Sequence, residues 1–486
     1  MPQPSGLNIF IFHRDLRLED NTALIQAPKP ILPVFMFIDE QIDPVKNTYF
    51  SNNAVQFMCE SLEDLDKSLR KYGSHLNLFR STSIEKQLDT IHTRTPLASV
   101  TQNADFSLYA HTRDAAIQRW CDAQNPKVQF NNIHNDYDIV PEDAGLLANN
   151  KPYYVLSAYY KRILKDLQEK RLEIKVNTYA YKKRDFKTQF LPNQISVSTM
   201  HTYYAINPHL ITHGGHTHAV KRLAILDKLH NYDDDRNYPS RELTTQLSAH
   251  LKFGSLSVRE LAQAICTAFH LTPSHPDHPL IRELVFRSFY IKMATENTGL
   301  QRNKSFRQDI DSHITWLSKS SPTYAKLWKA WTTGTTGFPL VDAGMRQLNT
   351  TGFMHGRVRM VTATVLTRYF LIDWRDGAKY FAQNLTDYDP ISNNMGWQFS
   401  ASLGENSQNV YRAPMNPFLQ ASKYDPDATY IKKWIPELAT ATPKQIHTGT
   451  WDHTSTTYIK PIIDQKAASA KAVDTWRKIA KDLRVN

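Results

Sequence analysis

The chain has only three cysteines in 486 residues, and Cys59, Cys121 and Cys266 fall at no CxxC spacing. Disulfides and a structural zinc site are therefore disfavoured, as in the reducing cytoplasm or nucleus where this protein is expected. Long apolar runs are also missing. No window approaches the roughly 18 residues that a membrane-spanning helix needs, so no membrane partner is expected. The opening MPQPSGLNIFIFHRD has no basic region ahead of its apolar run and meets charge at once, so it is not expected to be a secretory signal. Glycine-rich phosphate loops are lacking. No GxGxxG follows the first apolar run and no GxxxxGK[ST] occurs, which leaves a nucleotide on such a loop in the N-terminal part unsupported. HExxH and clustered His/Cys spacings are absent. The histidine-dense HLITHGGHTH (209–218) reads as a polar surface loop, and no metal is expected. There is no internal repeat and no low-complexity tract.

What the chain does have is the composition of a folded protein, 41% hydrophobic and 22% charged, with length for two or three domains. Its net charge is +11. Such an excess favours a polyanionic partner through counterion release, although solubility alone would account for it equally well. Nine Trp, 23 Tyr and 22 Phe supply stacking surfaces for planar rings, although most of them belong to the core.

Short apolar runs LNIFIF (7–12), ILPVFMFI (31–38), LNLF (76–79) and SVTQN (99–103) alternate with helical patterns. One is 51–72, where Val55, Met58, Leu62, Leu65 and Leu69 recur at steps of three and four. Strands alternating with helices predict βαβ units and a parallel sheet. The pattern fades near 135. Residues 131–205 are polar and rich in Asn and Tyr, and read as a connector broken by a helix near 153–168. From 206 onward helical periods dominate, at 215–230, 243–251, 256–270, 278–298, 323–332, 339–350 and 354–372. The predicted architecture is α/β plus all-α: domain 1–130, connector 131–205, helical domain 206–486.

Four segments of the helical part concentrate chemistry. In NYDDDRNYPSRELTTQLSAHLKF, Thr244, Thr245 and Ser248 lie at the start of a helical pattern, where free amides and hydroxyls suit a phosphate or form an ordinary cap. In IRELVFRSFYIKM, Glu283 and Arg287 stand four apart beside Phe286 and Phe289. In TGFMHGRVRM, Arg357 and Arg359 interleave with Met354, His355 and Met360, which suits a ligand part charged and part flat, or a basic face over a core. In TDYDPISNNMGWQFSAS, carboxylates, carboxamides and large aromatics are crowded together; Asp387 and Asp389 can accept from Arg359 or a ligand, and Asn393 can donate or accept.

TGFPLVDAGMRQLNTTGFMHGRVRM, FLIDWRDG and NNMGWQFSAS, with HRDLRLEDNTAL near the N-terminus, resemble the photolyase/cryptochrome flavoproteins, closest to class I-type cyclobutane pyrimidine dimer (CPD) photolyases. The resemblance spans nearly the whole chain and is weakest over 130–205. It implies a Rossmann-like antenna domain followed by a helical domain that buries FAD. It also implies light-driven electron transfer that opens dimers in UV-damaged DNA, by a protein expected to be monomeric. Tyr232, Thr244, Thr245, Gln246, Leu247 and Ser248 would line the phosphate and ribityl part of FAD. Arg287, Arg359, Asp387, Asp389 and Asn393 would surround its ring system. Glu283, Met360, Phe286 and Phe399 would meet the lesion. Trp397, Trp374 and Trp316 would relay electrons, with Trp328 competing for the outer place, and Arg236, Arg357 and Arg412 would contact DNA phosphates. A second, antenna pigment is allowed for, with folate disfavoured by Gln301 and Arg302. The chain departs from the family pattern at Phe286 and Phe399, where Trp is usual, and at Gly356, where Asn is usual. A blue-light receptor without repair activity is the competing expectation.

Overall fold

The structure, a computed structural model, describes residues 6–405, 412–452, 454 and 456–485. The chain forms two compact units. The first comprises Met1–Pro208, Thr212–His230 and Thr245–Thr298, the second His209–Ile211, Asn231–Thr244 and Gly299–Asn486.

The first unit is built on a five-stranded, all-parallel sheet of β1 (Leu7–Phe12), β2 (Ile31–Ile38), β3 (Asn77–Ser81), β4 (Leu97–Asn103) and β5 (Gln129–Ile133). The strand order is β3-β2-β1-β4-β5, so the winding reverses between β1 and β4. Every residue of β2 is buried, as a central parallel strand with both faces covered requires. The crossover from β1 to β2 contains only the short helix Thr22–Gln26, and the later ones run through α1 (Asn52–Arg70), α2 (Ile84–Arg94) and α3 (Leu108–Ala123). Each begins at a serine, Ser51, Ser83 or Ser107, whose hydroxyl accepts from a first-turn amide; such a cap contributes about 1 kcal/mol. On α1 the periodic Val55, Leu62, Leu65 and Leu69 are the buried face.

Strand β5 falls where the sequence reads as the start of the connector. Its QFNNI has no apolar alternation, because it is an edge strand left half exposed, paired only to β4. Beyond it come α4 (Leu156–Gln168), α5 (His216–Leu223), α6 (Val258–Ala268) and α7 (Pro279–Glu296). A buried ionic network fastens the loop after β1 to this part of the unit. Arg17 and Asp136, each with its side chain 2% exposed, pair at 2.7 Å. Arg259 reaches Asp20 at 2.9 Å and Asp136 at 3.1 Å. Burial alone would raise the Asp136 carboxyl, but the two guanidiniums outweigh it and hold it below the usual range. Removing one partner of such a network strands a buried charge, which costs roughly 3–5 kcal/mol.

The second unit is helical: α8 (Pro322–Thr333), α9 (Pro339–Thr351), α10 (Gly356–Thr364), α11 (Trp374–Asn384), α12 (Pro390–Ser400) and α13 (Gln465–Val485). Trp331, Trp374, Trp451, Trp476 and Phe338 are fully buried in its core. In α9 the buried Asp342 accepts from the Thr336 amide and hydroxyl, the Gly337 amide and the Tyr458 hydroxyl, which secures the TGFP turn. Gly337 is required there. Its φ is +78°, and a Cβ would stand 2.3 Å from the Lys460 carbonyl oxygen. At its C-terminal end α10 widens into a single π-helical turn, Val365–Tyr369. Among the described residues no helix is long and apolar enough to cross a membrane.

Candidate functional site

The crowded NNMGWQFSAS stretch is a helix. Asp389 caps α12 by accepting from the Ile391 and Ser392 amides at 3.1 and 3.0 Å, and Pro390 takes the first helical position. The helix buries its amides as well as its aromatics. Gln398 accepts from the Phe306 amide at 2.7 Å, and Asn394 donates to Asn303 at 2.8 Å, so both hold the fold. Asn393 differs. It is only partly buried and commits one N–H to the Ala378 carbonyl at 3.1 Å, retaining a side-chain carbonyl as acceptor.

Helix α10 supplies the cations. Arg359 donates to both oxygens of Asp387, at 3.1 and 2.9 Å, and through Nε to the Met354 carbonyl at 2.8 Å. The guanidinium plane is thus fixed on two sides, and the half-buried charge has its counter-ion. His355 caps α10, its Nδ1 accepting from the Arg357 amide at 3.2 Å. Burial, then the neighbouring Arg359 and Arg357, pushes this imidazole down to about 4, so it is neutral at physiological pH. Arg357 hydrogen-bonds Asn237 and lies 4.3 Å from the Tyr424 ring centre. Burial and the adjacent Arg236 charge lower its pKa. Arg236 belongs to the short helix Tyr232–Asp235 and its cap. Arg412 is exposed; its carbonyl accepts from Arg368 at 3.4 Å. Met360 and Phe399 are half-buried, and Gly356 is exposed with nothing within 4 Å of where its Cβ would be.

The tryptophans named from the sequence occupy distinct surroundings. Trp397, on α12, is 2% exposed, and its ring lies 4.9 Å from Phe381 and 6.0 Å from Trp331. Gly377 on α11 makes room for it, since a Cβ there would sit 2.1 Å from the indole. Trp331 stacks at 5.6 Å on the half-buried Trp328, which stacks at 6.0 Å on Tyr324. Trp374 is fully buried with the Arg375 guanidinium 4.7 Å from its ring, and Trp316 lies 6.2 Å from Trp476. The ring contacts of Trp397 therefore lead through Trp331 to Trp328. Sequence reasoning gave Trp331 no role, and the three-residue spacing of WKAW, which stacks two indoles on one helix face, was the signal that could have found it.

In the first unit, Glu283, Phe286 and Arg287 share α7. Arg287 donates to the Tyr137 carbonyl at 2.7 Å and lies 4.0 Å from Asp138. Phe286 packs 4.5 Å from Tyr290. Thr245 gives its carbonyl to Arg222 at 2.9 Å, Gln246 takes a left-handed φ of +54°, and Leu247 is buried ahead of the six-residue helix Ser248–Phe253. Thr244 closes the preceding segment, in the second unit. Among the described residues no group of three or more His, Cys, Asp or Glu is placed to hold a metal ion.

The fixed Arg359–Asp387 pair beside a polar, partly open helix face that carries Asn393 fits a planar heterocycle with alternating donors and acceptors, which is the character of a flavin ring. Residues 280–478 match the family model described as the FAD binding domain of DNA photolyase, and residues 8–176 the one described as DNA photolyase. A deoxyribodipyrimidine photo-lyase of Alkalihalophilus pseudofirmus is 30% identical, with 98% of this chain and 99% of that one covered. The enzyme of that name from Escherichia coli is 28% identical over 97% and 98%. Among solved structures, an archaeal photolyase from Sulfolobus tokodaii, described with two FAD molecules, is 31% identical with a TM-score of 0.80, over 98% of this chain and 99% of that one. A class III photolyase from Agrobacterium tumefaciens is 26% identical with a TM-score of 0.82, over 98% of each. Full-length likeness at this level, with both family models matched in order, makes this chain a member of the photolyase/cryptochrome family of FAD-binding proteins.

Proposed function

We propose that the protein is a deoxyribodipyrimidine photo-lyase that uses light to split cyclobutane pyrimidine dimers in UV-damaged DNA. The carrying observation is the pairing of Arg359 with Asp387 next to Asn393, a carboxamide with one N–H tied down and its carbonyl retained. A carboxamide there suits a flavin held reduced, because it can accept from a protonated ring nitrogen or donate to a bare one. The chemistry that reduced FAD would supply when bound there is a light-driven electron to open the cyclobutane ring.

The protein's own residues hold, orient and exclude water. Arg359 offers a fixed positive edge to the ring system, with Arg287, Asp387 and Asp389 completing its surroundings. Tyr232, Thr244, Thr245, Gln246, Leu247 and Ser248 take the phosphate and ribityl part. Glu283 hydrogen-bonds the bases of a flipped-out dimer, Met360 packs on them, and Phe286 and Phe399 form flat apolar walls. Extrusion of a dimer costs a few kcal/mol, less than for an intact pair because the lesion already stacks poorly. Arg236, Arg357 and Arg412 attract the phosphates and fix the docking register without reading sequence. Trp397 would carry electrons inward to the bound cofactor, from Trp374 and Trp316 by the family resemblance or from Trp331 and Trp328 by its ring contacts. An antenna pigment of unassigned identity accompanies FAD, a reading supported by the relative that carries two FAD molecules.

A blue-light receptor without repair activity is favoured by one set of observations, Phe286, Phe399 and the open Gly356. Phenylalanine still stacks but offers less area than tryptophan and no N–H, and glycine removes a side-chain contact. One assay separates the readings. FAD-loaded protein is incubated with oligonucleotides, duplex and single-stranded, each carrying one thymine dimer, in blue light and in the dark. Light-dependent loss of the dimer is expected. If FAD-loaded protein leaves the dimer intact on both substrates, the repair reading fails and the receptor reading stands.

A further inference from the structure

The first unit contains a cavity of about 660 Å³, walled in part by Tyr72, Tyr179 and Tyr181. That volume lies within the roughly 300–1,000 Å³ of small-molecule sites. None of its walls comes from the residues assigned above to cofactor, lesion or DNA. Tyr179 and Tyr181 lie 4.8 Å apart at 57°, and Tyr72 stands 6.0 Å from Tyr181, so three rings are grouped at one wall.

The cavity's charge runs against that of the chain. In a protein of net charge +11, the charged residues of this wall are all acidic: Glu19, Asp20, Asp227 and Glu260. Asp20 is neutralised by Arg259 at 2.9 Å and also accepts from the Asn177 amide at 2.6 Å. Glu19 and Glu260 share a single histidine, His216, at 3.5 and 3.1 Å. Burial alone would lower the His216 pKa, but the two carboxylates outweigh it and raise it. Even protonated, His216 balances only one of them. Asp227 is exposed and adds a further negative charge. One ammonium already lies against the tyrosine wall: Lys29, outside the cavity lining, donates to the Ile25 carbonyl at 2.8 Å and places its Nζ 4.5 Å from the Tyr179 ring centre.

We propose that this cavity binds a flat organic cation of the N-alkylated heteroaromatic class. The positive ring would be held against the tyrosine wall by cation–π attraction, with Glu19 and Asp227 as counter-ions. Aromatic faces and uncompensated carboxylates together select a delocalised cation over a neutral ring of the same shape, and exclude anions. The site stands apart from the repair reading and survives its failure.

The test uses FAD-loaded protein and calorimetric titration at pH 8 with 1-methylquinolinium, against neutral 2-methylquinoline of nearly the same size. Saturable binding of the cation is expected, about 10-fold or more tighter than the neutral ring, and weakened several-fold by Asp227→Asn, Glu19→Gln and Tyr179→Ala. All three positions are exposed. Circular dichroism and bound-flavin absorbance show that each variant remains folded and loaded. Equal affinity for the two rings, no saturable binding of the cation, or binding undiminished in all three variants overturns the proposal.

Discussion

Acid should loosen the helix that carries the arginines, through one buried histidine. His355 is 4% exposed and caps α10 with an unprotonated Nδ1. Its pKa is about 4 in the folded protein and 6.5 when unfolded, so the folded state binds the proton more weakly. The stability that this group contributes is fully present above 6.5 and is lost as pH falls from 6.5 toward 4. Between pH 7 and pH 5 the loss is about 2 kcal/mol, from 1.5 pH units below the unfolded value at 1.36 kcal/mol each. Protonation would also remove the cap and set a third positive charge beside Arg357 and Arg359. The assay is urea unfolding followed by tryptophan fluorescence at both pH values, for the natural protein and for His355→Asn. Asparagine caps helices well and does not titrate. The natural protein should lose about 2 kcal/mol more than the variant over that interval. His250, buried and pushed down to about 3, weakens both proteins alike and cancels in the difference. Identical acid dependence in the two proteins would refute the reasoning.

Other consequences are equally open to measurement. If Arg357 contacts a phosphate, Arg357→Ala should reduce the slope of log affinity for duplex DNA against log salt by about 0.9, read by fluorescence anisotropy; an unchanged slope removes it from the interface. Trp331→Phe should slow photoreduction of bound FAD at least as much as Trp374→Phe, because the ring contacts of Trp397 lead to Trp331; transient absorption at the tryptophan radical band decides. Gly377→Ala drives a methyl to 2.1 Å from the Trp397 indole and should destabilise the second unit by about 1–3 kcal/mol, seen as a lower midpoint in urea. A Cβ at Gly356 would meet nothing within 4 Å, so Gly356→Asn should leave stability within about 1 kcal/mol of the natural protein, and any change in dimer repair would report on the site and not on folding.

Legibility from sequence followed burial chemistry. LNIFIF and ILPVFMFI announced themselves because central parallel strands bury both faces, whereas QFNNI is an edge strand and carries no such pattern. The helix period of α12 was hidden because Asn394 and Gln398 are buried polar groups, satisfied by distant partners at Asn303 and Phe306 that no local window reveals. For the same reason the two adjacent asparagines look alike in sequence, yet Asn394 is fully committed to the fold while Asn393 is partly exposed. Asp389 was read as a ligand contact, and the capping work of its carboxylate became visible only once the helix start was known. Charge alone left Asp387 and Asp389 both open as partners of Arg359, and the structure pairs Arg359 with Asp387 while Asp389 caps the helix.

The widened turn at Val365–Tyr369 has a bearing on which insertions and deletions this chain can tolerate. One surplus residue in a helical turn rotates everything after it by about 100° relative to an unbroken α-helix. The stretch from Met360 to Trp374 is therefore sensitive to any change of length. Deleting a single residue among 365–369 would restore regular winding and swing the chain leading into Trp374 out of phase with the arginines upstream.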